Sequence, residues 1–209
     1  MSGLTYDQLI ISVTDNIDKN DKNRYFIALS GPPASGKSTI SENLAKDLSA
    51  KGYNSSILQM DGFHYDDLIL KEKNLLSKKG APETFDVMGL INFVSRLHKE
   101  DEVVIPIFDR SLELSRSSAV IISKNTKVII VEGNYVLLKS YPWSELHKFF
   151  NTTVMINCEK KILEKRLIER WRNFNLPKEE IDEKVYKNDL PNGVNVLKNS
   201  IAAEYILEN

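Results

Sequence analysis

The 209-residue sequence predicts an α/β fold: a three-layer α/β/α domain on a mainly parallel five-stranded sheet, with a small cap or lid region. Three observations predict it. Five short apolar runs rich in β-branched or aromatic residues lie at 25–29, 56–60, 103–108, 128–131 and 152–156. Each reads as a strand buried on both faces, the habit of parallel sheets. Segments with helical spacing separate most of these runs, as parallel strands joined by crossover helices require. The composition, 42% hydrophobic and 27% charged, is that of a globular chain and excludes wholesale disorder. One domain spanning 1–209 suits the length.

The elements follow from residue spacing. Leu4, Leu9, Ile10, Val13 and Ile17 line one face of an N-terminal helix. Ile40, Leu44 and Leu48 line a second, which Gly52 ends. A third carries Val87, Leu90, Ile91, Val94 and Leu97, and a fourth, from Glu159 to about Phe174, carries Ile162, Leu163, Leu167 and Trp171. Further helices are expected after Pro177 and after Gly193. Residues 62–82 are polar, with Lys71, Lys73, Lys78 and Lys79, and read as a cap projecting from the sheet edge with a solvated lysine face.

Charge and cysteine content narrow the function classes. Lys plus Arg is 28 and Asp plus Glu is 29, for a net charge of −1, which argues against a dedicated nucleic-acid binder. A single cysteine, Cys158, excludes an internal disulfide framework and multi-cysteine metal sites. No uninterrupted apolar run approaches the roughly 20 residues of a membrane span. The first twenty residues lack the basic-then-apolar order of a signal peptide. A soluble, cytoplasmic protein without a nucleic-acid or membrane partner is expected, and a homodimer is compatible with the sequence.

Gly31-Pro32-Pro33-Ala34-Ser35-Gly36-Lys37-Ser38 fits the phosphate-loop pattern G-x-x-x-x-G-K-[ST] at every fixed position, between an apolar strand and an amphipathic helix. At this composition, a chance match anywhere in the chain is on the order of half a percent. Gly36 lets the backbone curl so that successive N–H groups face phosphate oxygens, and the following helix adds the positive end of its dipole. The cradle for ATP phosphates is therefore Gly31, Ala34, Ser35, Gly36, Lys37, Ser38 and Thr39. In it Lys37 reaches the terminal phosphates and Ser38 offers a hydroxyl to Mg²⁺. A second acid is expected at a strand end, and Glu132 closes the apolar run Val128-Ile129-Ile130-Val131. It is read as the metal-associated acid, with a solvent-facing strand-terminal residue as the alternative.

Asp61 follows another strand, in Met60-Asp61-Gly62-Phe63-His64. At the carboxyl end of a parallel strand it would face the ligand crevice, where a carboxylate could orient or deprotonate an attacking hydroxyl; the alternative is an Asp-Gly turn. Of seven arginines, Arg166, Arg170 and Arg172 fall within seven positions. Arg166 and Arg170 share a helix face, and either form a mobile lid over the phosphates or pair with Glu159, Glu164 and Glu169 in solvent. Asp109 and Arg110 end another run, and either touch the acceptor or pair with each other. His98 and His147 are read as surface residues, and His64 as near the site.

Together these motifs resemble the uridine kinase, phosphoribulokinase and pantothenate kinase group of P-loop kinases, from about Phe26 to Asn199. The resemblance rests on the phosphate loop, Met60 to His64, Lys79-Gly80-Ala81-Pro82-Glu83-Thr84-Phe85-Asp86, Pro106 to Arg110, Val131-Glu132-Gly133-Asn134-Tyr135 and Asp189 to Asn192. It is strongest to the uridine-kinase-like, or fructose transport system kinase-like, branch. The resemblance implies a P-loop NTPase fold, ATP and Mg²⁺ as cofactors and a small-molecule acceptor. It also implies Asp61 as catalytic base, Glu132 as metal-associated acid, Arg166 and Arg170 on a phosphate-facing lid at about 166–192, and Asn192 near the acceptor pocket. From the residues alone, Pro191-Asn192-Gly193 reads as a turn. Uridine kinases carry an aspartate–histidine–proline signature where this chain has Gly80-Ala81-Pro82, a stretch nearer the pantothenate kinase pattern. The expected activity is transfer of the γ-phosphoryl of ATP to a hydroxyl of a metabolite: a nucleoside such as uridine, a pantothenate-like acceptor or a sugar-like one. The alternatives are a nucleoside monophosphate kinase, a nucleotide-operated ATPase or GTPase switch (suggested by Asp86-Val87-Met88-Gly89), and a nucleotide-binding regulator that has lost its chemistry.

Overall fold

A computed structural model describes residues 3–20 and 24–209. Its helices are α1 (Tyr6–Asp18), α2 (Lys37–Ala50), α3 (Asp67–Glu72), α4 (Val87–Leu97), α5 (Lys160–Asn173), α6 (Lys178–Asp182) and α7 (Leu190–Asn199). Its strands are β1 (Tyr25–Ser30), β2 (Ser55–Gln59), β3 (Val103–Asp109), β4 (Leu114–Ile122), β5 (Val128–Glu132), β6 (Thr152–Asn157) and β7 (Tyr205–Glu208). Five strands form one parallel sheet in the order β2-β5-β1-β6-β7, and β3 and β4 form a separate antiparallel pair.

Alternation along β1 builds the three layers. Tyr25, Ile27 and Leu29 pack with Leu9, Val13, Leu44 and Leu48 of α1 and α2. Phe26 and Ala28 face the other way, onto Leu90 and Val94 of α4. Every β1 residue is buried, as expected for a central parallel strand. Thr5 caps α1 with a reciprocal bond pair to Gln8, and bonds from Gly52 N–H to Ser49 and from Tyr53 N–H to Leu48 close α2.

The fifth strand is a correction. Residues 103–108 do not join the sheet: only Val103 and Ile105 are fully buried, and Val104 is exposed. They form the hairpin with β4, whose largely exposed residues hide its strand character. The fifth sheet member is β7, four residues paired with β6. The helix expected after Gly193 starts earlier, at Leu190. Pro191 occupies its first turn, where a missing N–H costs nothing, so Asn192 and Gly193 are helical rather than in a turn. His147 is half-buried, not a surface residue, and its Nε2 is buried without a hydrogen-bond partner. Among the described residues no helix is long and apolar enough to cross a membrane.

Glycine at 133 is a packing requirement. A Cβ there would collide with the Met60 side chain, which is fully buried beside it. Gly133→Ala is expected to cost about 1–3 kcal/mol through overpacking, which lowers the thermal midpoint by roughly 3–10 °C for a chain of this size. A melting curve superimposing on the parent would show that Met60 can yield.

Candidate active site

The sheet order brings three chain crossings to one edge. Leu29 of β1 lies in register with Glu132 of β5, and Gln59 of β2 lies opposite Glu132 on the other side. The loop after β1, Asp61 just beyond β2 and Glu132 itself therefore converge at the carboxyl ends of the parallel strands, where such sheets bind ligands.

The loop has the geometry of an anion cradle. Ala34 and Gly36 adopt positive φ, at 61° and 86°. Gly36 caps the fourteen-residue α2 without any side-chain bond, so the helix's first N–H groups lack a side-chain acceptor. Lys37 is buried and donates through Nζ to the Pro32 carbonyl at 2.9 Å. Burial pushes its ammonium down to about 8, against the pull of Glu132 and Asp61. The Ser35 hydroxyl is buried with no hydrogen-bond partner. Thr39 is exposed one residue beyond Ser38.

Glu132 is buried at 4% exposure, not solvent-facing. Burial and the neighbouring Asp61 push its carboxyl up to about 7, while Lys37, Arg110 and the nearby Ser38 side chain act the other way. Asp61 behaves oppositely. Burial disfavours its charge, but His64, Arg110, Lys37 and Arg170 outweigh that and hold it below the usual carboxylate range. Arg110 donates to Asp61 Oδ2 at 2.9 Å. His64 packs between Phe85 and Phe108, with ring centroids 4.0 and 4.8 Å away, and burial pushes it down.

Two cavities meet at these residues. One, of about 400 Å³, is floored by Gly36, Lys37 and Ser38 and bounded by Glu132, Arg166 and Arg170. The second, of about 370 Å³, is lined by His64, Lys79, Phe108, Trp171 and Asp189 among others. Asp61, Arg110, Asn134 and Arg170 lie on the wall of both. Arg166 donates to the Ala34 carbonyl of the loop at 3.3 Å. Arg172 lines a different cavity, with Ile181 and Tyr186.

Four expected site residues lie on neither wall: Gly31 and Ser35 of the loop, Asp109 and Asn192. Asp109 accepts from the Ser111 hydroxyl at 2.6 Å and from Arg116 at 3.0 Å, which fixes the hairpin turn, and it does not pair with Arg110. Asn192 is buried in α7 and donates to Asn188 at 3.0 Å. Asn188 in turn donates to the Lys79 carbonyl at 2.9 Å, so Asn192 is linked to a residue of the second cavity wall through one intermediary. Lys79 itself is no solvated residue: its ammonium donates to Asp67 at 2.7 Å and to the Glu113 carbonyl at 3.0 Å. A π-helical segment, Glu183–Asp189, joins α6 to α7 and turns Lys184 and Asp189 to the second cavity. Asp86 caps α4, accepting from Gly89 N–H at 2.8 Å, which accounts for the switch-like string without a nucleotide.

Sequence and structure comparisons show which proteins this chain is similar to. A family model described as "AAA domain" matches residues 27–187. The crystal structure of a "putative fructose transport system kinase" from Silicibacter sp. TM1040 superposes with a TM-score of 0.91 and 34% identity, covering 98% of this chain and 99% of that one. This chain belongs to the AAA-domain family, among the P-loop kinases of the uridine kinase, phosphoribulokinase and pantothenate kinase group. The uncharacterised protein YggC of Escherichia coli K12 is 34% identical to this P-loop kinase over 195 residues, 90% of this chain and 79% of its own. A "putative uridine kinase" of Schizosaccharomyces pombe is 28% identical, covering 98% and 90%. Bacterial pantothenate kinases also match, over about half of their own length. The structural likeness extends over the hairpin and the 178–199 segment, so both belong to the kinase fold of this branch.

Proposed function

We propose that the chain transfers the γ-phosphoryl group of ATP to a hydroxyl of a small metabolite. The observation that carries this reading is the place of Asp61, an ionised carboxylate on the wall common to the phosphate-loop cavity and the second cavity. The loop fits a chain of phosphates: uncapped helix N–H groups and a buried ammonium meet at one cavity. Ser38 and Glu132 would hold Mg²⁺, since both offer oxygen, the donor this ion takes, and both line the phosphate-loop cavity. When bound, the ion supplies charge neutralisation on the phosphate oxygens.

In the proposed reaction, the acceptor hydroxyl enters from the second cavity and gives its proton to Asp61. The hydroxyl oxygen bonds to the γ-phosphorus while the bond from that phosphorus to the bridging oxygen breaks, and ADP leaves. Lys37, Arg166 and Arg170 neutralise charge on the group in transit. The helical segment carrying the arginines, with the 178–199 segment behind it, excludes water when closed, which protects ATP from hydrolysis. The test is ADP release over a panel of nucleosides, pantothenate, glycerate, free sugars and sugar phosphates, with phosphorus NMR of the product. Acceptor-dependent ADP and a new phosphomonoester signal are expected. ATP hydrolysis to inorganic phosphate at a rate indifferent to every acceptor would overturn the reading.

A further inference from the structure

We infer that Asn209, one residue beyond β7, is a positioning residue of the phosphate loop: it holds the Ser35–Gly36 peptide so that the Gly36 N–H is aimed into the phosphate-loop cavity. The inference rests on the part of the kinase reading that gives this loop a chain of phosphates. It begins from what holds the loop in shape. Within the loop, the Pro32 carbonyl accepts from the Ser35 N–H at 3.1 Å and from Lys37 Nζ at 2.9 Å. From outside it, Arg166 donates to the Ala34 carbonyl at 3.3 Å, and the Asn209 side-chain amide donates to the Ser35 carbonyl at 2.7 Å. The Arg166 bond is the longer, and the proposed reaction takes that guanidinium to the phosphates. Asn209 lines neither the phosphate-loop cavity nor the second one, so its bond to the loop stays in place while the phosphates are held.

A peptide group is planar and trans, so its C=O and N–H point in opposite directions. Asn209 takes the Ser35 carbonyl from the side of a third cavity, of about 540 Å³, whose wall it shares with Gly36, Thr39 and Asn43. The N–H at the far end of that peptide belongs to Gly36, which also lines the phosphate-loop cavity. Left without its donor, the peptide could turn its carbonyl towards the phosphates and repel them. A donor fixed in advance needs no reorganisation when the anion arrives. Gly36 is left-handed, and a Cβ there would collide with the Asn209 amide, so the two residues touch at the bend. Asn209 is itself well anchored. Its N–H donates to the Asn157 carbonyl at 3.0 Å, one residue beyond the β6–β7 pairing, and the Asn157 amide donates to both Glu208 carboxylate oxygens at 3.2 and 3.0 Å. On the other edge of β7, the Leu4 N–H donates to the Ile206 carbonyl at 2.7 Å. A strand held on both edges thus carries one amide to the loop.

The experiment measures binding to the full chain by calorimetry in the presence of Mg²⁺, with ADP and with inorganic tripolyphosphate, which has neither base nor ribose. Asn209 is exposed, so substituting it leaves the core intact. Asn209→Leu keeps the bulk against the loop and removes the donor. It should weaken ADP and tripolyphosphate by the same factor, at least about tenfold, the scale of a polar group left unsatisfied. Asn209→Ala leaves room for water to bond the Ser35 carbonyl and should lose less. In turnover, Asn209→Leu should raise the KM for ATP and change the acceptor KM less than about threefold. Tripolyphosphate binding that is indifferent to Asn209→Leu overturns the inference: with ADP also unchanged the tether is idle, and with ADP weakened Asn209 touches the nucleoside half instead. A loss as large in Asn209→Ala as in Asn209→Leu also overturns it, since packing and not the donor would then matter. Each of these results leaves the kinase reading standing. ATP hydrolysis indifferent to every acceptor overturns the kinase reading and leaves the Asn209 tether standing, and a parent protein that binds neither ligand overturns both.

Discussion

Asp61→Asn is expected to lower acceptor-dependent turnover by about 10²–10⁴-fold, the range for loss of a positioned general base, while the affinity for ATP stays within about threefold. The amide keeps the size of the carboxylate and can still accept the Arg110 bond now made to Oδ2 at 2.9 Å. What it cannot do is take a proton. Asp61 is a weak base, held below the usual carboxylate range by His64, Arg110, Lys37 and Arg170 against the effect of burial. Its proton transfer must therefore be late, when the acceptor oxygen has already bonded to phosphorus and become acidic. The same depression means that protonation of Asp61 does not limit kcat/KM above about pH 5. Near-normal acceptor-dependent ADP release by Asp61→Asn would sink the role, and an acid limb near neutrality would assign the base to another group.

The parts of the site that could be read from sequence are those whose chemistry is local or whose place is set by a strand end. The phosphate loop packs its cradle, lysine and hydroxyl into eight consecutive residues, so one short string suffices. Asp61 and Glu132 follow apolar strands, and parallel pairing alone carries them to the same edge. The second cavity could not be read, because its walls come from α3, the hairpin, α5 and the π-helical segment, far apart in sequence. Lys79 illustrates this: in sequence it is one of four lysines in a polar stretch, and its burial depends on Asp67, the Glu113 carbonyl and Asn188 arriving around it. Asp109 misled for the opposite reason. It ends an apolar run as Asp61 does, but that run is half of a hairpin, whose turn takes up the Asp109 carboxylate through Ser111 and Arg116 while Phe108 and Arg110 on either side of it reach the cavities. The sheet's fifth strand carries too little pattern to stand out in sequence: β7 is four residues long with only Leu207 buried, against the stronger apolar run at 103–108.

Lys37→Met should separate function from stability. The substitution keeps the length and apolar stem and removes the charge, so kcat/KM should fall by about 10²–10³-fold or more, the scale of losing one preorganised donor to a developing anion. Stability should move the other way. Burial depresses the Lys37 ammonium to about 8 from its ordinary 10.5, so charging it in the folded, ligand-free protein is unfavourable despite Glu132 and Asp61. The folded pKa lies below the unfolded one. Between about pH 8 and 10.5 the unfolded chain therefore holds a proton that the folded chain has released, and stability rises with pH across that window. Below about pH 8 both states are protonated and the penalty is fully present, on the order of 3 kcal/mol. Lys37→Met should thus melt several degrees higher than the parent at pH 7, and the difference should shrink towards pH 10. A lysine retained for packing or pairing would give the reverse, a variant less stable at pH 7 and no convergence at high pH. Loss of turnover together with gain of stability would identify the buried ammonium as a charge held at the structure's expense for the phosphates it is placed to meet.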